Sequence, residues 1–202
     1  MALERAVVSD GLLDELDRFE SLLRSLTPAD WSTPSRCEGW SVADVAAHTV
    51  GSMADVVAGR FDGLGTPEVT AREVAERRGR SATDVADECA EVRKVAVGLL
   101  AVFDDDAWQA PAPGDFDGAL GDGVEALWFD TFLHGDDIRA ALGRPSQTGP
   151  GLAGAVSHTN FLLAGQDWHG EAPAQEDAAM EWILVATGRA TGGPDSPPNV
   201  YA

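Results

Sequence analysis

Residues 121–143, GDGVEALWFDTFLHGDDIRAALG, form one uninterrupted helical pattern that sets an acid and an imidazole beside an apolar stripe. Leu127, Ile138 and Leu142 recur at helical spacing. Asp130 and His134 lie one turn apart and leave the helix on that same side. Asp136, Asp137, Arg139 and Arg144 fall on the opposite register and read as solvent-facing, with Asp136 or Asp137 orienting His134 as the alternative. A charge on or beside a buried stripe is costly without a partner. Any fold of this chain must bury this helix and also neutralise the Asp130–His134 pair.

Two readings satisfy that demand. An i, i+4 Asp–His pair is ordinarily a local hydrogen bond. It is also two-thirds of a metal site, because a carboxylate oxygen and a neutral imidazole nitrogen are common ligands for divalent first-row metals. The four histidines are His48, His134, His158 and His169. His48 sits in a second helical pattern among Val42, Val45, Ala46 and Met53. The expected ligand set is therefore His48, Asp130 and His134, with positions left open for water or substrate. His158 reads as a helix histidine with its polar needs met, and His169 as a loop residue.

The rest of the chain reads as amphipathic helices separated by broken loops. Leu12, Leu16, Phe19, Leu22, Leu23 and Leu26 recur at helical spacing and predict a first helix over residues 3–26, stopped before Pro28. Residues 27–40 form a loop in which Trp31 and Trp40 are expected to anchor packing, with Trp40 lining a pocket as the alternative. Ser41 and Asp44 make a capping-box start for a helix through His48 to about residue 60. Gly51 in that helix would allow a helix or ligand to approach closely. Residues 61–80 read as a connection with a short helical piece, and Arg72, Arg77, Arg78 and Arg80 as a solvated flank near acids.

Ser81 and Asp84 cap a further helix with Val85, Cys89, Val92, Ala96 and Leu100 in its stripe. Asp104, Asp105 and Asp106 should end it in a solvated turn and fray it, because acids oppose the dipole at a helix C-terminus. Two more helices are expected over residues 151–165 and 176–189, with a Gly- and Pro-rich end that is loosely held. The fold class is all-α: a four-helix bundle with two additional C-terminal helices.

With 202 residues and a net charge of −20, the chain is repelled by phosphate backbones and anionic membranes. Nucleic acid and membrane are excluded as expected partners. Two cysteines, Cys37 and Cys89, form no CxxC pair and read as reduced thiols, Cys37 as a small buried residue or one near the site mouth. The opening MALERAVVSDGLL lacks the long apolar core of a signal peptide, so a cytoplasmic location is expected. No GxSxG, Walker loop or HExxH is present, which removes serine-hydrolase, P-loop and zincin chemistry.

Two segments carry a resemblance. RCEGWSVADVAAHTVG, residues 36–51, and DTFLHGDDIRAALGRP, residues 130–145, resemble the two signatures of the DinB/YfiT-like superfamily, and within it the mycothiol-dependent maleylpyruvate isomerase group. The resemblance implies a DinB-like metal-binding bundle over residues 1–145 and leaves 146–202 as a short helical extension. It matches His48, Asp130 and His134 to the family's metal ligands, with Asp130 one methylene shorter than the Glu common in that group. It further implies a divalent ion, zinc first and nickel, iron or manganese as alternatives, and mycothiol or a similar thiol as cosubstrate. EWILVATGRAT resembles the family's final helix, which makes Arg189, with Trp40, an expected thiol or substrate contact. The implied function is isomerisation or S-transfer on a small electrophile. A non-catalytic ligand-binding bundle and hydrolysis through metal-bound water use the same residues. Apolar positions on the two C-terminal helices are compatible with a homodimer.

Overall fold

The computed structural model describes residues 3–168 and 170–202; His169 lies outside the described residues. Among the described residues the chain forms helices and only two isolated β-bridges. In order they are α1 (Arg5–Arg24), α2 (Pro28–Trp31), α3 (Val42–Val57), α4 (Pro67–Arg77), α5 (Ala82–Val102), α6 (Asp105–Gln109), α7 (Leu120–Ala141), α8 (Pro150–Ala164) and α9 (Glu176–Ala186). None is long and apolar enough to cross a membrane. The all-α class expected from periodicity is the class observed.

The four long helices α1, α3, α5 and α7 pack on one another, α4 lies against α3, and α8 and α9 form a second layer on α7. Leu12, Leu16, Phe19 and Leu23 of α1 meet Val45 and Val50 of α3, Val85 and Cys89 of α5, and Trp128 and Ile138 of α7 in the bundle core. A second apolar cluster uses the other side of α7. There Phe129, Phe132 and Leu133 pack against Leu152, Ala155 and Leu163 of α8 and Met180, Ile183 and Ala186 of α9. So α7 is buried on both sides. Asp136 and Asp137, read from register as surface acids, are 1 % and 0 % exposed. The apolar stripe predicted one buried face; Phe129, Phe132 and Leu133 extend it around the helix and call for the second layer.

Caps form where the local signals stand. Ser41 with Asp44 and Ser81 with Asp84 make reciprocal capping boxes on α3 and α5. Asp104 corrects the expected fraying: α5 ends at Val102, and the Asp104 carboxylate accepts from Ala107 N–H at 2.8 Å and caps α6. That short helix carries Trp108 into the core, onto a notch left by Gly121. The last helix stops at Ala186, three residues before its expected end, as Gly188 turns with φ 71°. The C-terminal tail is not loose. Val200 N–H donates to Ala186 O at 2.8 Å and Gln166 Nε2 to Val200 O at 3.2 Å.

Of the arginine cluster, Arg77 departs from the solvated-flank expectation. It is 7 % exposed and pairs with Glu88 of α5 at 2.6 Å, while Arg72 pairs with Asp55 of α3. These pairs fasten α4 to its neighbours. Gly51 gives α4 its close approach: a Cβ there would stand 2.7 Å from Glu73 Cβ.

The Trp128 indole fills notches in two helices, since a Cβ on Gly11 would overlap it and one on Gly154 would lie 2.7 Å from Cε3. Gly98 on α5 is exposed and has nothing nearby. Gly→Ala inside a helix ordinarily stabilises by about 0.5–1 kcal/mol. Gly98→Ala is expected to show that gain in chemical denaturation. Gly11→Ala is expected to reverse sign and lose about 1–3 kcal/mol through overpacking. Equal gains at both positions would contradict the interlock.

Candidate metal centre

His48 projects from the middle of α3 and Asp130 and His134 from adjacent turns of α7, helices that pack side by side. Asp130 Oδ1 lies 3.4 Å from His134 Nε2. The His48 and His134 ring centroids are 5.1 Å apart, with planes 86° to one another. One ligand atom from each of the three lies within 4.8 Å of the others. The fold thus brings together the three residues that the sequence singled out, from positions up to 86 residues apart.

Each imidazole is held from behind by a buried carboxylate. His48 Nδ1 is 2.8 Å from Glu73 Oε2, and His134 Nδ1 is 2.8 Å from Asp137 Oδ2. Both carboxylates are almost fully buried, at 1 % and 0 % side-chain exposure. With Nδ1 engaged on each ring, Nε2 is the nitrogen left to act as a ligand. A carboxylate behind a ligating imidazole fixes its tautomer and raises its basicity. Two nitrogens and one carboxylate, so oriented, fit a divalent first-row ion with positions left open. Glu73 was missed in the sequence, where its segment looked like a connection. The available signal was Gly51, one turn beyond His48, which marks where another helix lies close.

Asp137 gathers several partners. Arg189 donates to it through Nε and Nη2, both at 2.8 Å, and Arg36 donates through Nε. Cys37 Sγ donates to its Oδ2 at 3.2 Å, and Arg36 also pairs with Asp136 at 2.6 Å. The expected thiol or carboxylate contact of Arg189 is thus, in this structure, a bidentate grip on Asp137. Cys37 is half-buried at the site, not a core residue. Cys37, His134 and Asp137 are also close enough to share an ion, but the Asp137 oxygens already accept from two guanidiniums, so the His48 set suits a metal better.

The charges are poised accordingly. Burial would raise the Asp137 carboxyl, but hydrogen bonds from His134 and Arg189 hold it well below the usual range. Burial would lower His134, yet the Asp130 charge and bonds to Asp130 and Asp137 hold it well above its ordinary value. Burial likewise works against the Asp130 charge, but His134 keeps its pKa down to about 2. The Asp130 charge thus favours the protonated form of His134.

Trp40 lies against both rings, its centroid 5.4 Å from His48 and 6.5 Å from His134. It walls the centre, whereas Trp31 anchors its loop by donating from Nε1 to Arg80 O at 3.0 Å. His158 is not a member of the group. It is 4 % exposed and packs on Phe129 at 4.9 Å, and burial pushes its pKa down to about 4. A cavity of about 870 Å³ opens beside the centre and reaches Asp130 along walls that include Val56, Leu100, Phe116 and Phe129.

The family described as the mycothiol maleylpyruvate isomerase N-terminal domain matches residues 12–139. Among solved structures, a histidine-to-alanine mutant of the mycothiol-dependent maleylpyruvate isomerase is similar with a TM-score of 0.66 at 15 % identity, over 97 % of each chain. A second structure of the mycothiol-dependent maleylpyruvate isomerase gives 0.62 at 16 % identity, again over 97 % of each. At that identity the likeness is one of fold, and it extends through α8 and α9. No curated protein matches the chain in sequence.

Loss of the carboxylate behind a ligating histidine typically weakens metal binding by about 10–100-fold. Glu73→Gln keeps the shape and removes the charge, so its zinc affinity, measured by competition with a chromophoric chelator, is expected to fall by that amount. An unchanged affinity would remove Glu73 from the centre.

Proposed function

We propose that this chain, which belongs to the mycothiol maleylpyruvate isomerase N-terminal domain family, is a divalent-metal-dependent enzyme. It acts through a low-molecular-weight thiol of the mycothiol type, as an isomerase or S-transferase on a small electrophile. The observation that carries this reading is the convergence of His48, Asp130 and His134, each imidazole backed by a buried carboxylate, beside a cavity that Asp130 lines. The two solved structures bear names that specify a mycothiol-dependent isomerase, which supports the choice of thiol.

His48 Nε2, His134 Nε2 and the Asp130 carboxylate would hold the ion. A divalent ion bound there supplies positive charge that lowers the pKa of a neighbouring thiol and polarises a carbonyl. The remaining work belongs to the chain. Glu73 and Asp137 fix the two imidazoles so that neither ring must reorganise on loading. Arg36 and Arg189 keep Asp137 ionised behind His134. Trp40 shields the rings from solvent on one side, and the cavity admits the electrophile on another.

Thiolate sulfur attacks the activated carbon of the electrophile, and the electron pair moves onto the electron-withdrawing group. Expulsion of the same thiolate after bond rotation gives isomerisation. Retention of the C–S bond, with proton uptake, gives S-transfer. In this reading residues 1–145 carry the ligands, and residues 146–202 form a short helical extension that serves the centre through Arg189. Zinc is the first choice of metal, with nickel, iron or manganese as alternatives.

The zinc-loaded protein is expected to accelerate thiol consumption in the presence of an activated alkene, and His48→Ala to return the rate to that of the uncatalysed reaction. Turnover in His48→Ala equal to wild type would defeat the proposal.

A further inference from the structure

The cavity beside the centre carries a charge pattern that selects among electrophiles. It is bounded by α3, α5 and α7, with contributions from α1, α8 and the loops around α6. At about 870 Å³ it is large enough to enclose a drug-sized molecule. Its walls are mainly aliphatic and aromatic, with Phe61, Phe103, Phe116, Phe129 and Tyr201 the largest side chains apart from the acids and His158, and Ser52 and Tyr201 supply hydroxyls. Phe116 and Phe161 stack at 6.5 Å with planes 10° apart.

Among the described residues no lysine or arginine lines it. Its acids are Asp115 and Asp117, both exposed, and Asp130 at the metal ligands. His158 is buried in the wall and, with its pKa pushed down to about 4, is neutral there. The arginines of the centre, Arg36 and Arg189, are bound to Asp136 and Asp137. A carboxylate entering this space would lose its hydration with no cationic side chain to replace it, against a chain of net charge −20. A cation would lose its hydration to the same apolar walls, since Asp130 already lies 3.4 Å from His134 Nε2 and Asp115 and Asp117 are exposed.

We propose that the electrophile taken by this centre is an uncharged, predominantly apolar molecule, held in the cavity by aromatic and aliphatic contacts with its polar reactive group at the Asp130 end. This rests on the reading of the centre given above and names its substrate class. A small dicarboxylate is a poor fit to these walls.

The test needs neither metal nor thiol. Wild-type protein treated with chelator is titrated with phenyl-naphthylamine, an uncharged fluorophore, and the bound probe is displaced with acetylnaphthalene or with naphthalene dicarboxylate. The uncharged competitor is expected to displace the probe, and the dianion to be at least roughly tenfold weaker, a difference of about 1.4 kcal/mol. Two variants map the event to this cavity. Ala126→Trp fills it from α7, and Val56→Arg places a cation in its wall. Both are expected to weaken the uncharged probe by roughly tenfold or more, and Val56→Arg to make the dianion an effective competitor. Circular dichroism confirms that each variant is folded; either one alone suffices.

Equal displacement by the two competitors in wild type would overturn the inference. Probe binding unchanged in a folded variant would also overturn it. Intact selectivity for uncharged probes in a protein that takes up no metal would sink the enzyme reading alone. Metal-dependent thiol turnover with no such selectivity would sink this inference alone.

Discussion

The carboxylate of Asp137 is the constraint to which much else in the structure answers. It has no exposed surface, and a buried charge persists only with partners that meet its lone pairs. Those partners come from three places far apart in the chain. Arg36 and Cys37 arrive from the loop before α3, His134 from the preceding turn of α7, and Arg189 from the turn after α9. One carboxylate therefore ties the N-terminal loop and the C-terminal layer to the central helix. It also aims an imidazole at the bundle interior.

Glu73 does the same from the opposite side. It is 1 % exposed in its side chain and holds His48 from α4, which Gly51 lets approach α3 closely. The result is two rings braced by two buried acids, with Asp130 3.4 Å from His134 Nε2. Such bracing is expensive to build for stability alone, because a buried ion pair often contributes little against an apolar replacement. It makes physical sense where ring orientation matters, as it does for a metal ligand.

Much of the scaffold was legible in the sequence because its signals are local. The capping boxes at Ser41 and Ser81 need only a hydroxyl and an acid three residues on. The stripes of α1, α3 and α5 need only helical period. His48, Asp130 and His134 stood out as imidazoles and an acid beside apolar faces, and the resemblance pointed to the same three. Glu73 was invisible because its role depends on the docking of α4, not on anything within its own turn. Asp136 and Asp137 were misread because register assigned them to solvent. That reading held only while α7 was assumed to have one buried face, although Phe129, Phe132 and Leu133 already argued for two. Asp104 was misread as ending a helix because helix-stop and helix-start signals look alike when two helices nearly abut.

The central claim is an open three-ligand centre that accepts a thiol. Cobalt(II) substitution reports on it directly, since ligand-field bands reveal coordination and a thiolate bound to cobalt adds a charge-transfer band in the near ultraviolet. The account predicts one cobalt per chain in a low-symmetry nitrogen and oxygen field, and a new charge-transfer band on addition of a low-molecular-weight thiol, with both signals absent in His134→Ala. A folded wild-type protein that shows no cobalt bands, or bands that thiol leaves unchanged, would contradict it.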